Sequence, residues 1–129
     1  MLSRIILSVS AIICLVRALG LLFVPRQLYA SFGVTLDPAA VWGAQFLGGV
    51  ILGVGMINWL SRTSPISSEA LRAVLVGNFV LETVSMVVSV RGTVSGLFND
   101  LGWITVGEHA IFVAAFGYTV FGGEKTSNE

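Results

Sequence analysis

Charged side chains are scarce in this sequence. Seven Lys and Arg with seven Asp and Glu make up 11% of its 129 residues, against about 25% in ordinary soluble domains. So short a chain has a large surface for its volume and needs polar groups to cover it in water. Cysteine occurs once, at Cys14, which excludes an intrachain disulfide framework and any CxxC, zinc or haem spacing. Histidine also occurs once, at His109, so a His-based metal site is not expected. Phosphate-binding glycine loops and the GxSxG nucleophile turn are missing. No cofactor is expected. Net charge is zero and the pI is about 6.6, which gives no reason to expect a nucleic-acid partner.

What the chain has in quantity is apolar surface. Hydrophobic residues make up 55% and the mean hydropathy is +0.91. The partner this composition calls for is the lipid bilayer. A membrane-crossing helix needs roughly 20 largely apolar residues, and four such stretches follow one another. The first runs from about Ser3 to Val24 and stops at Pro25. Arg17 interrupts its apolar run and two isoleucines precede Cys14, so it reads as a retained span rather than a cleaved signal. The second runs from about Ala39 to Leu60, with Asp37 as N-cap and Pro38 at the first helical position. The third runs from about Glu69 to Val90 behind Ser67 or Ser68. The fourth runs from about Asp100 to Phe121, capped by Asn99 or Asp100 and ended by Gly122-Gly123.

The links between spans are short. Residues 25–38 carry Tyr29 and Phe32 beside Arg26 and read as a headgroup-level segment, as Trp42, Trp59 and Trp103 read as interfacial anchors. Residues 1–123 therefore form a single four-span domain and 124–129 a polar tail. Arg4, Arg62, Arg72 and Lys125 fall on one side of the membrane and Arg26 and Arg91 on the other, which favours cytoplasmic termini. In the second span Gly49 and Gly53 form a GxxxG pair. This pair either packs inside the monomer or makes a homo-oligomer seam.

Ionisable residues inside spans are rare, costly and by default functional. Asn78, Glu82, Ser85 and Ser89 recur on one face of the third span, as do Ser10, Cys14 and Arg17 in the first. Thr105, Glu108 and His109 crowd one side of the fourth. Arg17, Glu82 and Glu108 each lie about eight residues from one span end and Gln45 lies seven after Pro38. At 1.5 Å per residue this puts them with His109 in one layer, roughly 10–12 Å below the same membrane face. Arg17 can neutralise one carboxylate. The other has His109 or nothing, and a desolvated carboxyl without a cation is held as the neutral acid. Two carboxyls in different protonation states are the pattern of general acid and general base. Glu82 and Glu108 are the catalytic pair in this reading, Arg17 sets their charge or binds a developing oxyanion, and Gln45, Asn78 and His109 orient substrate. The competing readings are a buried ion pair that only fixes helix register and a path for ions or protons.

Three stretches carry a family resemblance: Arg17-Ala-Leu-Gly-Leu-Leu-Phe-Val-Pro25, Leu28-Tyr-Ala-Ser-Phe-Gly33 and Trp42-Gly-Ala-Gln-Phe-Leu-Gly-Gly-Val-Ile-Leu-Gly53. In them the first half of the chain resembles the DoxX-like small four-helix membrane proteins. The resemblance implies an up-down four-helix membrane bundle. Gln45 stands where such proteins often carry an arginine, so an anion-binding role is not carried over. In size and buried carboxyls the chain is also similar in kind to small polytopic proteins of natural-product pathways, some of which are cyclases or epoxide-opening enzymes. No motif is matched there and no residue is carried over.

The expectation is an all-α, up-down four-helix transmembrane bundle with short loops. Its function is read as a cofactor-free acid–base enzyme for a hydrophobic small molecule, by isomerisation, cyclisation or epoxide opening. The alternative is a non-catalytic scaffold or accessory subunit of DoxX-like type.

Overall fold

The computed structural model describes residues 1–65 and 68–122. The alternative cap Ser67, the second terminal glycine Gly123, Lys125 and the tail 124–129 lie outside the described residues. The described chain is helical: α1 (Leu2–Phe23), α2 (Pro25–Ser31), α3 (Pro38–Ser61), α4 (Glu69–Val94) and α5 (Gly102–Phe121). All but α2 are long and apolar enough to cross a bilayer. Large apolar side chains such as Ile12, Val16, Phe46, Val84, Ile104 and Ile111 cover the outside of these helices. In water that surface would be untenable; in hydrocarbon it needs no cover. The chain is a multi-pass membrane protein.

The caps decide the boundaries. Asp37 accepts from the Ala40 amide at 2.7 Å, with Pro38 at the first helical position. Ser68 accepts from the Leu71 amide at 3.2 Å. Pro25 ends α1 and opens α2, so part of the headgroup-level segment is a short helix rather than a loop. Two ends differ from the sequence reading. The helix α4 runs on through Arg91 to Val94, because the chain reverses only at Gly96, whose φ of 76° suits glycine alone. The helix α5 starts at Gly102, with Leu101 rather than Asn99 or Asp100 in the capping position. The Asn99 side chain instead accepts from the Leu101 amide and folds the turn before the helix.

α1 packs along α3, and α4 along α5. Gly48 of α3 lies against Ala18, Leu21 and Leu22, while Gly55 lies against Ala11 and Cys14. Positions that rise along α3 meet positions that fall along α1, so the two are antiparallel. The α4–α5 pair reverses likewise, with Gly92 against Phe98 and Phe79 against Gly117. Ile6, Leu7, Leu71, Leu75, Phe112 and Phe116 form an apolar core at the end of the bundle near the N-terminus. Leu21, Leu36 and Ala44 form a second at the α2 end.

Glycine sets the α1–α3 distance. A Cβ on Gly55 would stand 2.9 Å from the Cys14 Cβ, and one on Gly48 would stand 3.0 Å from the Leu21 Cβ. Gly49 and Gly53 meet nothing within 4 Å. The GxxxG pair is therefore not packed inside the monomer; the packing glycines are Gly48 and Gly55. Gly55→Leu is expected to force the helices apart and cost about 1–3 kcal/mol. Gly53→Ala should leave thermal unfolding in detergent unchanged. Equal midpoints for the two variants would show that the seam is not glycine-limited.

Candidate functional site

Two contacts to carboxylates form between the cores, the Arg17–Glu108 ion pair and a Glu82–His109 pair. The Arg17 guanidinium on α1 donates from Nη2 to Oε2 of Glu108 on α5 at 2.6 Å. One residue further along α5, His109 Nδ1 lies 2.6 Å from Oε2 of Glu82 on α4. The second pair is the deeper one, with side chains 9% and 10% exposed against 32% and 28% for the first. Adjacent residues on one helix thus turn to different neighbours, tying α5 to α1 and to α4. In the neutral tautomer whose Nδ1–H donates to the carboxylate, the His109 Nε2 lone pair is free. Neither Nε2 nor Glu82 Oε1 has a protein partner among the described residues, and neither is sealed from its surroundings. Glu108 Oε1 is both sealed and unpartnered.

Beside the Glu82–His109 pair is a cavity of about 440 Å³, within the range of small-molecule sites. Arg17, Glu82 and His109 line it together with Cys14, Ser85, Ser89 and Thr105. Its remaining wall is apolar and comes largely from α3 and α4. Tyr29, Phe32 and Phe98 line the α2 end. A groove of about 270 Å³ on the outer face of α1 and α3 is lined by residues such as Ile12, Leu52, Met56 and Trp59 and holds no ionisable group.

Polar ties bound the cavity at both ends. Toward the N-terminal end, Asn58 Nδ2 donates to Asn78 Oδ1 at 2.9 Å and to Ser10 Oγ at 3.0 Å. Asn78 Nδ2 donates back to Asn58 Oδ1 at 2.7 Å. This latch joins α1, α3 and α4. At the α2 end the Asn99 side chain donates to the Ser31 carbonyl and its amide to the Phe32 carbonyl, each at 2.9 Å. The rings of Phe32 and Phe98 meet edge to face at 6.0 Å.

The structure brings Arg17, Glu82, Glu108 and His109 together and leaves two expected residues apart. Gln45 is exposed and donates its amide to the Leu22 carbonyl at 3.1 Å. It does not line the cavity. The cause is helix termination: Leu22 lies in the last turn of α1, where backbone carbonyls lack helical partners, and Gln45 supplies one. Asn78 also stays out of the cavity. It spends both amide protons, on Asn58 and on the Val74 carbonyl at 2.8 Å. Glu108 is held by Arg17 and does not face the cavity, so the two carboxyls do not confront one substrate from two sides. The titratable pair at the cavity wall is Glu82 with His109.

Tyr29, Phe32 and Phe98 line the cavity although their sequence positions signal only interfacial aromatics. Nothing local to 25–38 announces a contact with residues 98 and 99. Among the described residues no cluster of three His, Cys, Asp or Glu could hold a metal ion. Comparison of the chain with protein-family models, with curated proteins and with solved structures gives no match.

Proposed function

We propose that this membrane protein is a cofactor-free acid–base enzyme that moves a proton on a lipophilic small molecule held in the central cavity. The observation that carries the reading is the buried Glu82–His109 pair at 2.6 Å on the wall of a 440 Å³ cavity that Arg17 also lines. A buried carboxylate–imidazole pair is a proton acceptor and donor in one unit. The guanidinium is a fixed cation where negative charge develops on a substrate oxygen. Its single bond to Glu108 leaves most of its N–H groups unused.

The chemistry is clearest for isomerisation. His109 Nε2 takes a proton from the carbon next to a carbonyl. The C–H electron pair becomes a carbon–carbon double bond, and the carbonyl pair moves onto oxygen, which accepts hydrogen bonds from Arg17. Return of the proton to a conjugated carbon gives the isomer with no change in oxidation state. Cyclisation and epoxide opening need the same parts, a proton delivered to one atom and removed from another. Glu108 acts by holding Arg17 in place.

A second reading, a non-catalytic accessory subunit of DoxX-like type, draws on the outward face of α3, where Gly49 and Gly53 meet nothing within 4 Å. Deuterium uptake discriminates between the two. The full chain in lipid nanodiscs in D2O is given lipophilic ketones and enones of about fifteen carbons. Enzymatic proton transfer is expected to raise deuterium incorporation next to the carbonyl at least about 10²-fold over empty nanodiscs. Incorporation equal to empty nanodiscs across the set would overturn the catalytic reading in favour of the accessory one.

A further inference from the structure

We infer that the cavity is loaded sideways, from the hydrocarbon layer through the slot between α3 and α4, and that it takes an uncharged oxygen-bearing lipophile whose oxygen rests on Arg17. This deepens the proposed function and rests on its premise that the cavity is the binding site.

The argument for the route is which sides are shut. The Ser10–Asn58–Asn78 latch closes the cavity toward the N-terminal end. The Phe32–Phe98 contact and the Asn99 bonds close it at the α2 end. α1 lies tightly on α3 and α4 on α5, and the Arg17–Glu108 ion pair bridges α1 to α5. Between α3 and α4 the two reciprocal Asn58–Asn78 bonds are the only side-chain hydrogen bonds among the described residues. Beyond them, Ile51 and Val54 on α3 face a cavity whose α4 side carries Leu81, Val84 and Val88. Val84 is 56% and Val88 61% exposed, so this apolar rim lies on the flank of the bundle that hydrocarbon bathes. A lipophile already dissolved in the bilayer meets no polar barrier there.

The argument for the ligand is charge and volume. Arg17 is neutralised by Glu108. The Glu82–His109 pair carries minus one with one proton and zero with two. An anion entering this layer therefore finds no uncompensated positive charge and loses its hydration. A cation loses its hydration likewise. An uncharged carbonyl or epoxide oxygen only has to accept a hydrogen bond, and Arg17 has N–H groups to give. The polar groups come from α1, α4 and α5, whereas α3 contributes only Leu47, Ile51 and Val54, so one polar end and an apolar body fit this site. At roughly 30 Å³ for each non-hydrogen atom, near the share of a water in the liquid, 440 Å³ holds about fifteen.

Photolabelling tests both parts. Three diazirine probes of about fifteen carbons, a methyl ketone, the matching fatty acid and the matching hydrocarbon, are irradiated with the full chain in nanodiscs, and the adducts are mapped by peptide mass spectrometry. The ketone is expected to label segments 47–54 and 81–88 at least fivefold more than either other probe, and excess unlabelled ketone should compete. Val84→Trp, which fills the slot from an exposed position, is expected to cut that labelling at least fivefold. Val87→Trp, exposed on the same helix but off the cavity, should not. Equal labelling by the fatty acid or hydrocarbon, adducts confined to the outer groove of Ile12, Leu52 and Met56, or no effect of Val84→Trp would each overturn the inference. Competed ketone labelling without deuterium uptake would uphold it and overturn the catalytic reading. The two failures are thus separable.

Discussion

Glu82→Gln is expected to lower deuterium uptake by about 10²-fold or more, the scale of a lost general acid–base group, while leaving the bundle folded. Glutamine keeps the shape of the side chain, and its amide oxygen still accepts the His109 Nδ1–H bond that now spans 2.6 Å. What it loses is the negative charge that stabilises imidazolium and the capacity to hold a proton. His109→Gln should fall by a similar factor. Because the two act as one unit, the double variant should be no slower than the worse single one. Unfolding midpoints in the same detergent provide the control. If Glu82→Gln turns over within threefold of the unaltered protein, or if its only effect is lost folded yield, the pair is a packing device.

Arg17→Leu is expected to be the most destabilising single change in the polar layer. It strands Glu108, whose Oε2 loses its partner at 2.6 Å and whose Oε1 is already sealed without one. Removing one member of a buried pair costs about 3–5 kcal/mol. Here both side chains are close to one-third exposed, so a loss of about 2–3 kcal/mol is expected. Replacing both partners removes the stranded charge, and buried pairs exchanged for apolar residues are often no less stable than the original. The double variant Arg17→Leu/Glu108→Leu should therefore recover most of the loss in a chemical-denaturation titration. It should not recover turnover, because the arginine that lines the cavity is gone. A double variant as unstable as Arg17→Leu alone would show that Arg17 stabilises by packing and not by charge.

Asn58 and Asn78 are both polar and both lie nearer the same end of their spans, and the structure joins them by reciprocal bonds. Gln45 was misleading for a physical reason. Depth counted from Pro38 placed it near the layer, but depth does not give the face of the helix. The face was set by Gly48 and Gly55, which bring α3 against α1 and leave Gln45 beside the open carbonyl of Leu22. The same cause turned Gly49 and Gly53 outward.

The amino-acid sequence by itself determined that the chain lives in a bilayer, that four helices cross it, where Asp37 and Pro38 start one of them, and that Arg17, Glu82, Glu108 and His109 lie within spans. These follow from transfer free energy and capping, which act on neighbouring residues. Only the tertiary structure decided which carboxylate pairs with which cation, that Glu82 and His109 rather than Glu82 and Glu108 face the cavity, and that the cavity exists. Those outcomes depend on how each helix is rotated about its axis, and rotation is fixed by close packing between residues far apart in the chain.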